Sequence, residues 1–481
     1  MVFLLEWYPS NFPLQKHYGI KHHVFCRNST RQASGKKGAQ CMSWMAEGGS
    51  VVINRLVSTR RDKMSMYRFL GNHRVEPALV LEAIQSHCRS VMRPRHYLNL
   101  QDTSEFDYTG SNGRRDLKEL GPVGNDLNQG IFVHPCMIVD AEELCAVGFG
   151  NIELYIRDSN EKVDAKQRKH DSLATRSKES KRWIEGPNKS KEVLPEGATM
   201  TVVGDREMDM YEVMTQIPDN RTNFLMRSQH NRKLTGGEKL YSFIDRQEAR
   251  GQIRIELPTR KNRLAREALL VVKFGQVIIP RTENASANLP AEVAIYWVEV
   301  KEMDITVPKG EKPVHWRLLT SHQVETLEEA LQIVKWYTAR WQIEQLFRTL
   351  KSKGLNVEES QLETAHALKN LILMAMQTAI NIMQLSYSHT GNSVYSAAII
   401  FPPKTMLFLE LLVRKYEGKT KNQKNTYQLH SIPWAKWVVA RMGGWDGYES
   451  GSRAGPITMH RGLIKLCTMM EAVGILDPED V

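Results

Sequence analysis

The chain has 481 residues, of which 41% are hydrophobic and 25% charged, with 65 Lys plus Arg against 54 Asp plus Glu. That balance excludes a wholly disordered polymer and a single simple core, and a formal charge of +11 favours a polyanionic partner, most simply nucleic acid. No apolar run reaches the roughly 18 residues of a membrane span, the start MVFLLEWYP lacks a basic leader, and Cys26, Cys41, Cys88, Cys136, Cys145 and Cys467 show neither C-x-x-C nor zinc spacing, so reduced thiols and an intracellular setting are expected.

Residues 1 to about 50 are basic and polar without a helical or strand period, and are expected to form a loosely ordered arm. From about 62 to 92 the pattern turns helical: MYRFLG, then PALVLEAIQSHCRSVM, with Leu79, Leu81, Ile84 and Val91 near helical spacing. HYLNLQD, ending at Asp102, IFVHPCMIVD and ELCAVGFGNIELYI are rich in β-branched and aromatic residues and predict a three-stranded meander. Residues 157–197 are charged, with one helix expected around Ser180 to Ile184. ATMTVVGD is a short strand ending at Asp205. FLMRSQH, QIRIELP, EALLVVKFGQVIIP and AIYWVEVKEM read as strands of an all-β block, with a basic loop from Arg260 to Arg266, inserted into an α/β domain. VHWRLLTS (Val314 to Ser321) is the return strand, and LEEALQIVKWY opens a long helix. After about residue 362 the segments HALKNLILMAMQTAINIMQL, TMLFLELLVRKY and PWAKWVVARM predict a helical bundle whose methionines are core.

The long helix carries Tyr337, Arg340, Glu344 and Lys351 in WYTARWQIEQLFRTLK. At about 100° per residue these four fall within roughly 60° of one another. Ile343, Leu346 and Leu350 point away, and Trp336 and Phe347 flank the stripe. A carboxylate on that stripe can hold a metal ion, and the cations and phenol can hold phosphates beside it. Taken alone, Arg340 and Glu344 read first as an ordinary i,i+4 ion pair on a solvated helix. Asp102 and Asp205, however, each end a strand, where carboxylates project into the crevice at the carboxyl edge of a sheet. A helix packed on that sheet brings Glu344 to the same place. Three hard oxygen donors suit Mg²⁺ or Mn²⁺, and two such ions activate a water or hydroxyl and stabilise the leaving oxygen in phosphodiester cleavage. A strand-end Asp also commonly starts a turn or caps a helix; Asp205 precedes REMDMYEVM, and Asp107, Asp116, Asp126 and Asp209 compete for the role.

The Tyr-x2-Arg-x3-Glu-x6-Lys spacing, QDTS around Asp102, GDREMD around Asp205, WRLLTS, MYRFLGN and WAKWVVARMGG together resemble the DDE transposases of bacterial insertion sequences, in the Tyr-Arg-Glu-Lys branch of the insertion-sequence-four group. The resemblance runs from about residue 62 to the C-terminus. It implies an α/β fold with a ribonuclease H-like catalytic core (93–208 plus 314–361) and an all-β insertion (209–313). An atypical basic arm (1–60) and a helical segment (61–92) would precede the core, and a helical C-terminal dimerisation region (362–481) would follow. It implies cut-and-paste transposition with two Mg²⁺ or Mn²⁺ ions held by Asp102, Asp205 and Glu344. Tyr337, Arg340 and Lys351 would grip phosphates near a flipped nucleotide, Trp316 would stack on its base, and Arg227 would contact DNA. Unstacking a base costs a few kcal/mol, and an aromatic face returns roughly 1–3 kcal/mol. The implied partners are inverted-repeat ends, target DNA and a second copy of the chain, without a membrane, and the expected location is cytoplasmic and nucleoid-associated. The chain departs from the family in residues 1–50, which lack the Gly-Asp-x-Arg motif of the end-binding helical segment. An inhibitory, dimerising DNA-binding remnant and a stand-alone nuclease of the same fold are therefore the competing readings.

Overall fold

A computed structural model describes residues 37–475 except 39, 43, 47–48, 58, 110–118, 125–127, 158–179, 258–264, 352–353, 388–392, 402 and 449–453. Most of the expected N-terminal arm, most of the basic loop, Cys26, Asp116 and Asp126 lie outside the described residues.

Helix α1 (Arg60–Leu70) starts where the Thr59 side chain accepts the Asp62 N–H, and α2 (Pro77–Val91) starts on a proline whose missing N–H is no loss in a first turn. Eleven strands follow in one sheet: β1 (His96–Gln101), β2 (Ser104–Asp107), β3 (Gly121–Val123), β4 (Asn128–Asp140), β5 (Ala146–Tyr155), β6 (Thr199–Gly204), β7 (Thr222–Arg227), β8 (Gly251–Leu257), β9 (Arg266–Pro280), β10 (Glu292–Glu302) and β11 (His315–Thr320). The order is β2-β4-β1-β6-β7-β11-β10-β9-β8, with β3 and β5 also on β4. β1, β6 and β7 are parallel neighbours, and the remaining pairs are antiparallel. The protein is thus a mixed α/β fold around a large open sheet. The meander expected from sequence forms as β1, β4 and β5. The strands expected as a separate all-β block are continuous with this sheet: β11 pairs with β7 on one side and with β10 on the other.

Helices α3 (Arg182–Lys191), α4 (Tyr211–Gln216) and α5 (Leu240–Asp245) lie between strands, and α6 (Leu327–Ala339), α7 (Trp341–Leu350), α8 (Ala365–Tyr387), α9 (Pro403–Tyr416), α10 (Ile432–Met442) and α11 (Pro456–Ile475) follow the sheet. Side-chain alternation builds a core on each face. Leu98, Leu100, Val203, Leu225 and Leu318 pack with Ile333, Tyr337, Ile343 and Leu346, whereas Tyr97, Met200, Phe224 and Leu319 pack with Trp183, Trp434 and Leu409. This alternation docks α6 and α7 flat on one face. Helix α8 is apolar almost all round and buried, as a central helix must be. Each fully buried side chain such as Leu368, Leu371 or Ile380 contributes about 1.5–3 kcal/mol of transfer free energy. Asn370, also buried, donates to the Leu70 and Val75 carbonyls and ties α8 to the α1–α2 turn.

Among the described residues no helix is long and apolar enough to cross a membrane. Cys41, Cys88, Cys136, Cys145 and Cys467 are buried outside any disulfide. Burial pushes the Cys41 and Cys136 thiols up to about 12, so neither is a nucleophile near neutral pH.

Candidate active site

Strands β1 and β6 lie side by side and parallel, with Leu100 opposite Val203. Asp102 and Asp205 each stand two residues beyond those partners, so both leave the same end of adjacent strands, whose spacing is about 4.8 Å. Gly204 makes room for the turn: a Cβ there would meet Met208 Sδ at 2.4 Å and the Trp183 ring at 3.0 Å. Asp205 Oδ1 then accepts the Glu207 N–H at 2.8 Å and caps the short Arg206–Met208 turn. The capping role weighed from sequence is therefore present in addition to the strand-end position. Asp102 Oδ1 accepts the Thr103 N–H at 2.8 Å.

Arg340 joins the strand ends to the helix. Its guanidinium donates to Asp102 Oδ2 at 3.3 Å and to Glu344 Oε1 at 2.7 Å. Asp102 and Glu344 are thus one guanidinium's width apart. Burial pushes the Asp102 carboxyl up to about 6, the Asp205 and Glu344 charges push the same way, and Arg340 opposes them. Asp102 therefore feels both other carboxylates, and Arg340 is the shared counter-ion of Asp102 and Glu344. The Arg340 pKa is raised: burial works against its charge, but Tyr337, Asp102 and Glu344 outweigh it.

A second layer of expected residues lies alongside. Tyr337 is buried, and its pKa is raised by burial and by Asp205, against the lowering pull of Arg340 and Arg227. The phenol is neutral and interacts with both arginines. Arg227, the last residue of β7, donates to the His315 carbonyl at 2.9 Å. Burial lowers its pKa, with Arg206 and Arg340 adding to the shift and Tyr337 resisting it. The half-buried Trp316 ring meets Tyr337 edge-on, with centroids 5.5 Å apart. Asp102, Asp205, Glu344, Arg340, Tyr337, Arg227 and Trp316 thus form one connected constellation.

Lys351, the last residue of the expected stripe, closes the helix, its N–H donating to the Phe347 carbonyl at 2.9 Å, and its ammonium faces other partners. The helix splits into α6 and α7 at Arg340, whose backbone stays helical, and it ends at Leu350. Lys351 has left helical geometry, at φ −89° and ψ −112°. The chain then folds back, with the Leu355 N–H donating to the Thr349 carbonyl at 2.8 Å. The Lys351 ammonium lies 3.5 Å from Glu358 and 5.5 Å from the centre of the Phe106 ring. Ile343, Leu346 and Leu350 are fully buried on the opposite side of α7, as the helical period required. Two competing aspartates are engaged elsewhere. Asp209 pairs with Arg232 at 2.6 Å and accepts the Gln229 and His230 N–H groups, and Asp107 accepts from Asn128 and Thr109.

Among the described residues no three His, Cys, Asp or Glu groups stand close enough to hold a metal by themselves. The donor chemistry nevertheless fits a hard divalent cation: neighbouring carboxylates, one of them held above the usual carboxylate range by burial first and by its like-charged neighbours second. Sequence reasoning missed two contributors. One is Arg340 acting as counter-ion. The other is His134, which bonds to both neighbours of Asp102; its only sequence signal was a polar His-Pro pair inside the apolar run IFVHPCMIVD.

Residues 190–382 match the family described as Transposase DDE domain. The match contains Asp205, Arg227, Trp316, Tyr337, Arg340, Glu344 and Lys351, but not Asp102. It supports a DDE transposase, an enzyme class that cuts and joins DNA and generally uses divalent metal ions. A cryo-EM structure of a piggyBac transposase synaptic complex with hairpin DNA aligns over 97% of this chain and 77% of that one, at 10% identity and a TM-score of 0.37. At that score the likeness carries no argument about the site.

Proposed function

We propose that this protein is a DNA transposase of the Tyr-Arg-Glu-Lys branch of insertion-sequence enzymes. It has a ribonuclease H-like core, and Asp102, Asp205 and Glu344 are its catalytic carboxylates. The observation that carries the reading is that Arg340 on the helix bonds both the strand-end Asp102 and Glu344, while Asp205 leaves the neighbouring strand at the same end. The meander followed by two parallel strands, β5-β4-β1-β6-β7, supports the core assignment. The three carboxylates would hold two Mg²⁺ or Mn²⁺ ions, which when bound supply Lewis acidity and an activated water or hydroxyl. The remaining residues position DNA. Arg340 and Arg227 bind phosphate, with Tyr337 as a neutral donor between them, and Trp316 offers a ring face to an unstacked base. Lys351 reaches a more distant phosphate along the same strand. This arrangement suits nicking at transposon ends, hairpin formation by attack of the freed 3′ hydroxyl, and strand transfer into target DNA. Two copies act on one pair of ends. Leu407 and Leu411, one turn apart and largely exposed on α9, give the C-terminal region an apolar face for that assembly.

The test is cleavage and joining of a plasmid carrying the element's own terminal repeats. Glu344→Gln is expected to lower cleavage by more than about a hundredfold, beyond the usual loss for an outer-shell partner of a metal, while end binding stays near wild type. Loss of binding together with cleavage would make α7 structural. Binding without any cleavage by the wild-type chain would favour the inhibitory remnant, and cleavage without joining would favour a stand-alone nuclease.

A further inference from the structure

Strands β1 and β2 pair with the same neighbour, β4, in one continuous register: Gln101 lies opposite Cys136, and Ser104 opposite Val133. The two residues between them, Asp102 and Thr103, therefore face Pro135 and His134. Pro135 has no N–H to offer a ladder bond. His134 supplies side-chain bonds in this gap. Its Nδ1 lies 2.9 Å from Thr103 Oγ1, and its Nε2 lies 3.0 Å from Gln101 Oε1. One imidazole is thus joined to the residue before Asp102 and to the residue after it. The Thr103 N–H in turn donates to Asp102 Oδ1 at 2.8 Å.

The chemistry of the partners sets the tautomer. An amide oxygen only accepts, so Nε2 carries the proton and Nδ1 accepts from the Thr103 hydroxyl. In the neutral ring the Thr103 hydroxyl is the donor to Nδ1. His134 is fully buried, which holds its pKa well below the usual histidine range, and nearby Arg182 pushes the same way. Trp183 meets the ring edge-on with centroids 4.7 Å apart and limits its rotation.

We propose that His134 is a positioning residue that fixes the Asp102 carboxylate, through Gln101 and Thr103, in the orientation that receives the divalent cation. The inference rests on the reading of Asp102 as a metal ligand. It extends the site to a strand that contributes no ligand of its own. A bond that only holds the fold together would affect melting and leave ion affinity alone, whereas a positioning bond affects ion affinity first.

The experiment is a Mn²⁺ titration of the full chain without DNA, with free Mn²⁺ followed by electron paramagnetic resonance and folding followed by thermal melting. Thr103→Val removes the hydroxyl that bonds His134 at a partly exposed position and keeps the side-chain shape. It is expected to weaken Mn²⁺ binding about tenfold, in the range typical of outer-shell partners, with little change in melting. Thr103→Ser keeps the hydroxyl and is expected to bind as wild type. Thr103→Ala, which cannot clash, repeats the comparison if Thr103→Val melts early. Unchanged affinity in the hydroxyl-free variants, with Asp102→Asn abolishing binding, overturns the role of His134 and leaves the metal site standing. Unchanged affinity in Asp102→Asn overturns the metal-site reading and this inference with it.

Discussion

Arg340 occupies the place where a cation is wanted. It touches both Asp102 and Glu344, so on the proposed reading a divalent ion would compete with the guanidinium for the same carboxylates. Arg340→Ala is expected to tighten Mn²⁺ binding severalfold in the absence of DNA and to weaken DNA binding at the same time. Weaker or unchanged Mn²⁺ binding would mean that the guanidinium does not stand in the ion's way. Asp102 carries a second consequence. Its folded pKa, about 6, lies above the ordinary aspartate value of 3.8, so the folded state holds the proton more tightly than the unfolded one. The charged form therefore costs stability, a cost absent below pH 3.8 and fully present above about pH 6. Asp102→Asn should stabilise the metal-free protein by about 1–3 kcal/mol at pH 7 and change little at pH 4, measured by urea denaturation. Equal effects at both pH values would contradict the assigned charge cluster.

At the scale of elements, the helix pair α6–α7 carries most of what sequence could reveal. Offsets of three and seven residues from Tyr337 correctly put Arg340 and Glu344 on one side, because αR geometry persists through the break at Arg340. Helical periodicity says nothing about where a helix stops: Lys351, at the offset of fourteen, stands just beyond Leu350, its N–H still bonded to the Phe347 carbonyl and its ammonium beside Glu358. The start was better encoded. Thr326 and Glu329 form a reciprocal capping box that sets the first turn of α6. Thr326→Ala should cost about 1 kcal/mol in urea denaturation, and Thr326→Ser should recover most of it. The strands of the β-rich segment were also individually legible from their alternation. Their union with the catalytic strands was not, since a strand's period does not name its neighbour. That pairing depends on β11, whose partners β7 and β10 lie on either side of it.

Across the whole molecule, the candidate site exists because one sheet brings distant segments to one edge. Parallel pairing of β1 with β6 places Asp102 beside Asp205, and the apolar back of α7 docks Glu344 onto the same face. The sequence showed that each aspartate ends a strand, but the adjacency of those strands belongs to tertiary pairing alone. The constellation also includes Arg227 from β7, within the segment expected as an insertion, and Trp316 from β11, the expected return strand. The central claim is that three segments far apart in the chain together hold the proposed divalent cations. Fe²⁺ with ascorbate, added to the full-length protein in place of Mg²⁺, tests it directly, because hydroxyl radicals cut the backbone next to the bound ion. The account predicts cuts near residues 102, 205 and 344, suppressed by excess Mg²⁺ and absent in Asp102→Asn. Cutting at only one of these places, or cutting that Mg²⁺ does not suppress, would contradict it.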